Sequence, residues 1–393
     1  VPLIPPAKME CAGFNRSEEM ALYVYYHDLL GGFTRGLSFI HSLVFIPLCV
    51  IGVLANGLIV GVLLRPSMRS NIFNNFLVVI AFCDGTLMAT YLLFNTIDDC
   101  DHWYYSYWWI VFTKTFAVSS VFIHALSLWL TVNMAILRYM VLSQGTSSVP
   151  SRLPSSNSPR VAIVAILIAI VVAFLGSFLV IIRYEIHGGG EVLIEEVQDG
   201  KCLLVDRGWT KGDRVYQYGM KRPSWFTCFY DRLNFWLVAV VLKLIPCLLL
   251  TVFMTLLVNM LIETKKRRER LCASSTSTNT QAERTTAMLT TIVAVFLLTE
   301  LPQGLTFLSI GVKPELNLVH NAFMQLFNLL SLINSSTNFL LCALMSAVFR
   351  RECVSMCSSC CPQVNHVESA PSRLLTVPSA KKGFVAVPTT CPP

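Results

Sequence analysis

Charged residues are scarce in this sequence. Only 13% of the 393 residues are Asp, Glu, Lys or Arg, whereas 54% are apolar and the mean hydropathy is +0.60. A typical soluble domain carries about 25% charged residues, so the composition argues against a chain that is soluble as a whole. The sequence predicts that most of the chain lies in lipid.

Patterns typical of enzymes are missing as well. No pair of nucleophile and base stands out, and no metal-ligand spacing such as His-x3-His is present, which makes catalysis the least favoured function. No internal repeat is evident either, and this disfavours the alternative of a transporter or channel. The first 36 residues lack a basic start followed by an apolar stretch and a cleavage site, so we expect no removable signal peptide.

Long apolar runs fill much of the chain. A transmembrane helix needs about 20 predominantly apolar residues, and seven stretches meet this requirement. An odd number of spans places the two termini on opposite sides of the membrane. The predicted spans are 37–64, 73–97, 109–137, 161–183, 233–262, 286–311 and 319–345.

Lys and Arg are distributed unevenly between the loops. The stretch "TKKRRER" (264–270) follows the fifth span and 140–160 contains basic residues without an acid, whereas "IDDCD" (97–101) and "EVLIEEVQDG" (191–200) are acidic. Because basic loops remain in the cytoplasm, we expect a multi-pass plasma-membrane protein with its N-terminus outside and its C-terminus inside. The net charge of +7 then reflects topology, and we expect no nucleic-acid partner.

Four cysteines fall in the predicted outer segments: Cys11, Cys100, Cys202 and Cys228. The outside of the cell is oxidising, so we expect at least one disulfide, and four cysteines allow three pairings. The stretch "EVLIEEVQDGKCLLVD" (191–206) alternates around a Gly turn. This pattern predicts a β-hairpin with Cys202 on its second strand.

Two motifs indicate covalent modification. Asn15 begins an Asn-Arg-Ser triplet on the predicted outside, which makes it a candidate glycosylation site, with a chance match as the alternative. The run "ECVSMCSSCC" follows the last span and predicts S-acylation at the lipid surface, with a zinc site as the less favoured alternative. Its cysteines are Cys353, Cys357, Cys360 and Cys361.

One acid, Asp84, lies in the middle of the second span. A carboxylate at that depth costs about 2.5–3.5 kcal/mol on insertion scales, so it requires partners and is by default functional. Polar residues at helical spacing form a stripe on each of two other spans, although any single Ser or Thr is better explained by hydrogen bonding between helices. The stripes comprise Ser120, His124, Ser127 and Thr131 in the third span, and Gln325, Asn328, Ser331, Ser335, Asn338 and Cys342 in the seventh.

Further polar residues fall in the outer half of the spans and are candidates for a ligand pocket. Glu300 is the most suggestive, because Pro302 frees backbone carbonyls and bends the helix beside it. For Lys114 the alternative is snorkelling to the outer surface, and for His124 it is a satisfied interior position. The candidates are Lys114, Ser120, His124, Lys243, Glu300, Gln303, Gln325 and Asn328.

Several fragments follow one another over about 37–357. They are "GVLANGLIV" with Asn56, "IAFCD" with Asp84, "SLWLTVNMAILRY" with Ser127, Arg138 and Tyr139, "KLIPC" with Pro246, "ELPQG" with Pro302, and "NSSTNFLLC" with Asn338. In this order they resemble the rhodopsin-like (class A) G-protein-coupled receptors. Three longer stretches are "SLWLTVNMAILRY", "ERTTAMLTTIVAVFLLTELPQG" and "LINSSTNFLLCALMSAVFR". These are also similar to invertebrate receptors for FMRFamide-type peptides and myosuppressin, and to the nematode serpentine W-class chemoreceptors.

This resemblance implies an all-α membrane protein, a seven-transmembrane helix bundle with a short amphipathic eighth helix. The chain would then divide into an extracellular N-terminal segment (1–36), the bundle (37–345), the eighth helix with the cysteine cluster (346–361) and a disordered cytoplasmic tail (362–393).

The resemblance also assigns roles to residues at the inner end of the bundle. Arg138 and Tyr139 would couple to the G protein, but Leu137 stands where the family has an acid that restrains the arginine. Phe339 replaces a family proline and Cys342 a family tyrosine, so the inner switch is unusual.

Two further sites follow from the resemblance. Asp84, Ser127, Asn334 and Asn338 would form the pocket for an allosteric sodium ion, with no other cofactor expected. Because Thr113 stands where the family has its third-helix cysteine, the disulfide would join Cys100 to Cys202, leaving Cys11 and Cys228 for a second bridge.

The expected ligand is an amidated, Arg-containing peptide of the FMRFamide type. Ser120 stands where amine receptors have an aspartate, and Glu300, Glu195 and Glu196 would bind the arginine by charge-assisted hydrogen bonds. The alternative is a chemosensory receptor for a small environmental molecule. The other expected partners are a heterotrimeric G protein, arrestin and membrane lipid.

Overall fold

The structure is a computed structural model of the chain. It describes residues 16–69, 71–98, 100–146, 159–197, 201–204, 207–271, 276–345 and 347–360. Outside the described residues lie Cys11, Asn15, Cys361 and the predicted tail 362–393, together with the side chains of Cys342, Cys357 and Cys360.

Seven helices in the described residues are long and apolar enough to cross a membrane. This confirms the predicted helix bundle, and a shorter helix follows the seventh span. The helices are α1 (Arg16–Leu63), α2 (Ile72–Thr96), α3 (Tyr107–Thr146), α4 (Pro159–Ile182), α5 (Cys228–Leu237, Val238–Leu244 and Ile245–Leu271 in succession), α6 (Thr276–Val312), α7 (Asn317–Met345) and α8 (Ala347–Cys360).

The helices extend beyond the predicted spans where the sequence turns polar. Helix α1 begins at Arg16 and not near 37, and α3 continues to Thr146. A hydropathy window detects only the apolar part of a helix, because polar turns outside the hydrocarbon satisfy their backbone hydrogen bonds equally well.

Helix α3 lies at the centre of the bundle and contacts α2, α4 and α5, while α1 packs on α2 and α7. The outer faces are strongly apolar: on α4, for example, Ile163, Leu167, Val171 and Leu175 are all exposed. Exposed apolar surface of this extent is expected where lipid is the solvent.

Helix α5 changes its winding in the middle. Residues Val238–Leu244 form a π-helical segment directly before Pro246. Proline lacks a backbone N–H and clashes with the carbonyl four residues earlier, and a wider turn relieves this conflict. Lys243 lies in the widened segment and its side chain is buried in the bundle.

A β-hairpin covers the end of the bundle between α4 and α5. Strands β1 (Glu185–Leu193) and β2 (Arg214–Lys221) pair antiparallel. The predicted hairpin over 191–206 is therefore wrong in position, because Cys202 lies on a single helical turn in the connection between the strands.

Burial of apolar side chains in the connection explains why the second strand begins at Arg214 and not near Cys202. In the connection, Ile194, Val197 and Cys202 form a small apolar core with Cys100 and Val215. The apolar positions that suggested a strand are used in this core, whereas the aromatic alternation of "RVYQYGMK" supplies the second strand.

Candidate functional site

A fully buried carboxylate, Glu300 of α6, joins four helices. Its Oε2 atom accepts a hydrogen bond from Lys243 Nζ of α5 at 2.6 Å and lies 3.0 Å from His124 Nε2 of α3. Its Oε1 atom accepts from Asn334 Nδ2 of α7 at 3.3 Å. We call Glu300, Lys243, His124 and Asn334 the ion cluster.

Two local features bring the ion cluster together. The π-helical segment of α5 holds Lys243 inside the bundle, where its side chain is only 6% exposed. Helices α5 and α6 also approach closely at Gly304, where an added Cβ would lie 2.9 Å from Lys243 Cβ. Glu300 has three polar contacts and no exposed surface in this conformation, so a ligand would reach it only after the surrounding side chains move.

A second buried carboxylate, Asp84 of α2, lies one helical turn further inward along α7. Its Oδ1 atom accepts from Ser127 Oγ at 2.9 Å and from Ser335 Oγ at 3.3 Å. Its Oδ2 atom accepts from Asn338 Nδ2 at 2.7 Å. The predicted partners Ser127 and Asn338 thus contact Asp84, whereas Asn334 donates to Glu300 instead.

The residues around Asp84 fit a small hard cation. Sodium prefers oxygen ligands, and the Asp84 carboxylate with the hydroxyls of Ser127 and Ser335 supplies oxygens only. These residues would hold the ion, which when bound would neutralise the carboxylate. Ser335, which lies on the predicted seventh-span stripe, takes the place expected of Asn334.

Other predicted pocket residues are used in contacts between or within helices. Ser38 of α1 donates to Gln325 Oε1 at 2.8 Å, and Asn328 hydrogen-bonds Tyr91 of α2. Ser120 donates to the carbonyl of Ala117 in its own helix. Lys114 lies near the outer end of α3 and is partly exposed.

Several buried polar atoms above the ion cluster have no hydrogen-bond partner within the described part of the chain, and three of them lie on α3, α6 and α7. These three are Oγ1 of Thr113 on α3, Oε1 of Gln303 on α6 and Nδ1 of His320 on α7. Only Gln303 was predicted as a pocket residue. His320 lies five residues before Gln325, outside the steps of three and four residues that define the stripe of the seventh span, so the stripe did not reveal it.

A disulfide joins Cys100 to Cys202, as predicted. Trp209 Nε1 donates to the carbonyl of Cys100 at 2.6 Å and holds the connection in place. Cys228 is also disulfide-bonded, but its predicted pairing with Cys11 stays a prediction because Cys11 lies outside the described residues.

Most acids of the hairpin are paired within it. Glu185 lies 3.3 Å from Lys221 and Glu191 lies 3.4 Å from Arg214. Glu195 accepts from the backbone N–H of Gly212 at 2.9 Å. The adjacent Glu196 is exposed and is the hairpin acid best placed to meet an incoming cation.

At the inner end, Arg138 and Tyr139 of α3 contact aromatic rings. The Arg138 guanidinium lies 5.5 Å from the ring centroid of Phe73 on α2. The ring of Tyr139 lies 5.9 Å from that of Phe253 on α5. Leu137, in the family's acidic position, is buried in the core.

Helix α8 packs on the inner end of α1. Arg65 forms an ion pair with Glu352 at 2.9 Å, and Cys353 packs against the apolar cluster around Ile59 and Phe349. Cys353 is partly exposed, and its acylation stays a prediction. Phe339, which stands where the family has a proline, packs against Phe349 of α8.

Two comparisons with known proteins agree with this arrangement. Residues 43–360 match the family model described as "Serpentine type 7TM GPCR chemoreceptor Srw". The chain is also similar to "G-protein coupled receptor dmsr-1" of Caenorhabditis elegans, with 28% identity over 374 residues, covering 85% of this chain and 69% of that receptor.

Proposed function

This chain belongs to the serpentine Srw family of seven-transmembrane G-protein-coupled receptors, and from that premise we propose that its ligand is an extracellular, amidated, FMRFamide-like peptide. As a member of the family it is a multi-pass membrane receptor, not an enzyme, and it acts between an extracellular ligand and a heterotrimeric G protein.

Unpartnered polar atoms on three helices above the ion cluster carry the proposal of a peptide. Gln303 lies almost one turn outside Glu300, and the ring of His320 packs on that of Phe307, which lies about 10 Å outside Glu300 at 1.5 Å per residue. An extended peptide advances about 3.3 Å per residue, so about three residues span this depth. A single small molecule reaches one or two of these levels, whereas a peptide reaches all of them.

An amidated end suits the deepest of these atoms. Gln303 Oε1 needs a donor, which a terminal carboxamide supplies without bringing a negative charge into the bundle. Near the surface, Glu196 would accept a charge-assisted hydrogen bond from the peptide's arginine. The neighbouring Glu195 would add to the negative charge there.

The ion cluster would transmit binding inward. A ligand that contacts Gln303 presses on α6 one turn from Glu300 and next to Pro302, where the helix bends most easily. A shift of α6 then strains the bonds to Lys243 and His124, and the receptor moves toward whichever conformation binds the ligand better.

The disulfide supports the proposed orientation. Disulfides persist in oxidising compartments, so the end of the bundle that carries Cys100 and Cys202 would face outward, together with the N-terminus. Intact cells expose only this face, so peptide binding measured on intact cells tests the orientation and the ligand together.

The test compares three forms of the peptide and three receptors. We expect an amidated Arg-containing peptide to bind intact cells that express the wild-type chain, and to bind about tenfold more weakly as the free acid or with citrulline in place of arginine. Glu196→Gln should remove the preference for arginine, and Gln303→Leu the preference for the amide. Equal affinity for all peptide forms would reject these contacts.

The family description favours a second candidate, a chemosensory receptor for a small environmental molecule. Variants separate the two functions. A small molecule that activates the receptor would favour the chemosensory function if its response survives Glu196→Gln but not Gln303→Leu.

A further inference from the structure

The contact between Arg138 and Phe73 lies at the inner end of α2 and α3. Phe73 occupies the first turn of α2, where Asn71 caps the helix by accepting from the Phe73 backbone N–H at 3.1 Å. The cap fixes the backbone at the start of the helix, from which the Phe73 ring projects. The Arg138 guanidinium lies 5.5 Å from the centroid of this ring.

The geometry matches an attractive contact between a cation and a π face. A guanidinium within about 6 Å of a ring centroid is drawn to the negative face of the ring. The acid that would otherwise restrain the arginine is absent at position 137, where Leu137 is buried in the apolar core. The ring is therefore a restraint that the structure supplies in its place.

We propose that Phe73 is the positioning residue that holds Arg138 against α2 and keeps the receptor's basal activity low. This inference rests on the proposed role of Arg138 in coupling to the G protein. Weakening the contact with the ring loosens one hold on Arg138, which would let the side chain move from α2 toward the opening that an outward swing of α6 would create.

Phe73 also packs against the apolar core, so a simple truncation would not separate packing from electrostatics. Fluorination does separate them. Fluorine atoms withdraw electrons from the ring face and weaken the attraction for a cation stepwise, while the ring keeps its shape and nearly its volume.

The experiment measures basal nucleotide exchange on a purified G protein by the full-length receptor. Phenylalanine, monofluoro-, difluoro- and trifluorophenylalanine are inserted at position 73 by codon suppression. We expect basal exchange to rise with each fluorine and to reach about fivefold at three, as loss of a half-buried cation–π contact predicts. Insertion of ordinary phenylalanine by the same route should restore the low rate.

The matched control is Phe82 on the same helix, which is 67% exposed toward lipid. The same fluorinated residues at position 82 should leave basal exchange unchanged. Thermal melting of every variant checks that the fold is intact.

Arg138→Ala separates the coupling role of Arg138 from the positioning role of Phe73. If this variant exchanges nucleotide as well as the wild type does, the proposed coupling role of Arg138 fails. If Arg138→Ala abolishes exchange but the fluorinated series at position 73 stays flat, the role of Phe73 alone is overturned.

Discussion

Two buried carboxylates, Glu300 and Asp84, contact Asn334 and Asn338, which lie one turn apart on α7. The two carboxylates are stabilised in different ways. Glu300 is bonded to a lysine, and its charge is compensated inside the bundle. The three donors that the structure gives Asp84 are all neutral, so a cation is the natural complement to its charge. Glu300 therefore joins helices, and Asp84 stays the residue predicted to hold an ion.

The Glu300–Lys243 pair predicts a strongly non-additive double-mutant cycle. Glu300→Leu leaves the buried Lys243 without its carboxylate, and we expect it to lower the free energy of unfolding by about 3–5 kcal/mol. Lys243→Met should cost less, because His124 and Asn334 still contact Glu300. The combined variant removes both charges and should cost far less than the sum. Thermal unfolding of the four proteins in lipid nanodiscs measures the coupling.

A combined variant as unstable as the sum of the single ones would show that the two side chains act independently. The matched pair Arg214→Met and Glu191→Leu on the exposed hairpin serves as the control, because an exposed ion pair contributes about 0–1 kcal/mol.

Sequence spacing predicted some of these contacts and not others. Ser127 and Asn338 were found because a polar stripe at helical spacing faces one direction along the whole helix. Asn334 and Ser335 are neighbours, and only the rotation of α7 decides which of them meets Asp84. The pairing of Lys243 with Glu300 depends on the π-helical segment, which the residue pattern does not reveal.

At the scale of helices, the close approach of α5 and α6 at Gly304 sets the geometry of the ion cluster. Gly304→Ala would place a methyl group 2.9 Å from Lys243 Cβ, closer than carbon atoms normally approach. We expect the helices to separate and the protein to lose about 1–3 kcal/mol of stability. Thermal melting measures this loss.

Gly57→Ala on α1 is the control, because nothing lies within 4 Å of a Cβ at that exposed position. It should leave stability unchanged or raise it slightly, since alanine favours the helix. If Gly304→Ala melts at the temperature of Gly57→Ala, the contact between α5 and α6 is looser than described here.

The elements themselves were predicted to different degrees. All seven spans follow from hydropathy, because each must exclude water along about 20 residues. The hairpin was misplaced because alternation in "EVLIEEVQDGKCLLVD" came from residues that pack around the disulfide. Local pattern cannot distinguish a strand from an irregular segment that buries the same side chains against distant ones.

At the scale of the whole molecule, the bundle is closed in its inner half. Phe296 of α6 is buried against Leu128 and Val132 of α3 and against Leu257 of α5. Together with Arg138 held over Phe73, this packing describes a conformation that a ligand must shift. A ligand accomplishes this only by binding the open conformation more tightly than the closed one.

The most direct test of a peptide-activated receptor that couples through Arg138 is nucleotide exchange on a panel of purified heterotrimeric G proteins. The wild-type receptor and Arg138→Ala are compared before and after addition of amidated peptides. We predict that at least one Arg-containing amidated peptide accelerates exchange by the wild type and that Arg138→Ala abolishes the acceleration. Flat exchange with every peptide and every G protein, or equal stimulation of the two receptors, would contradict this prediction.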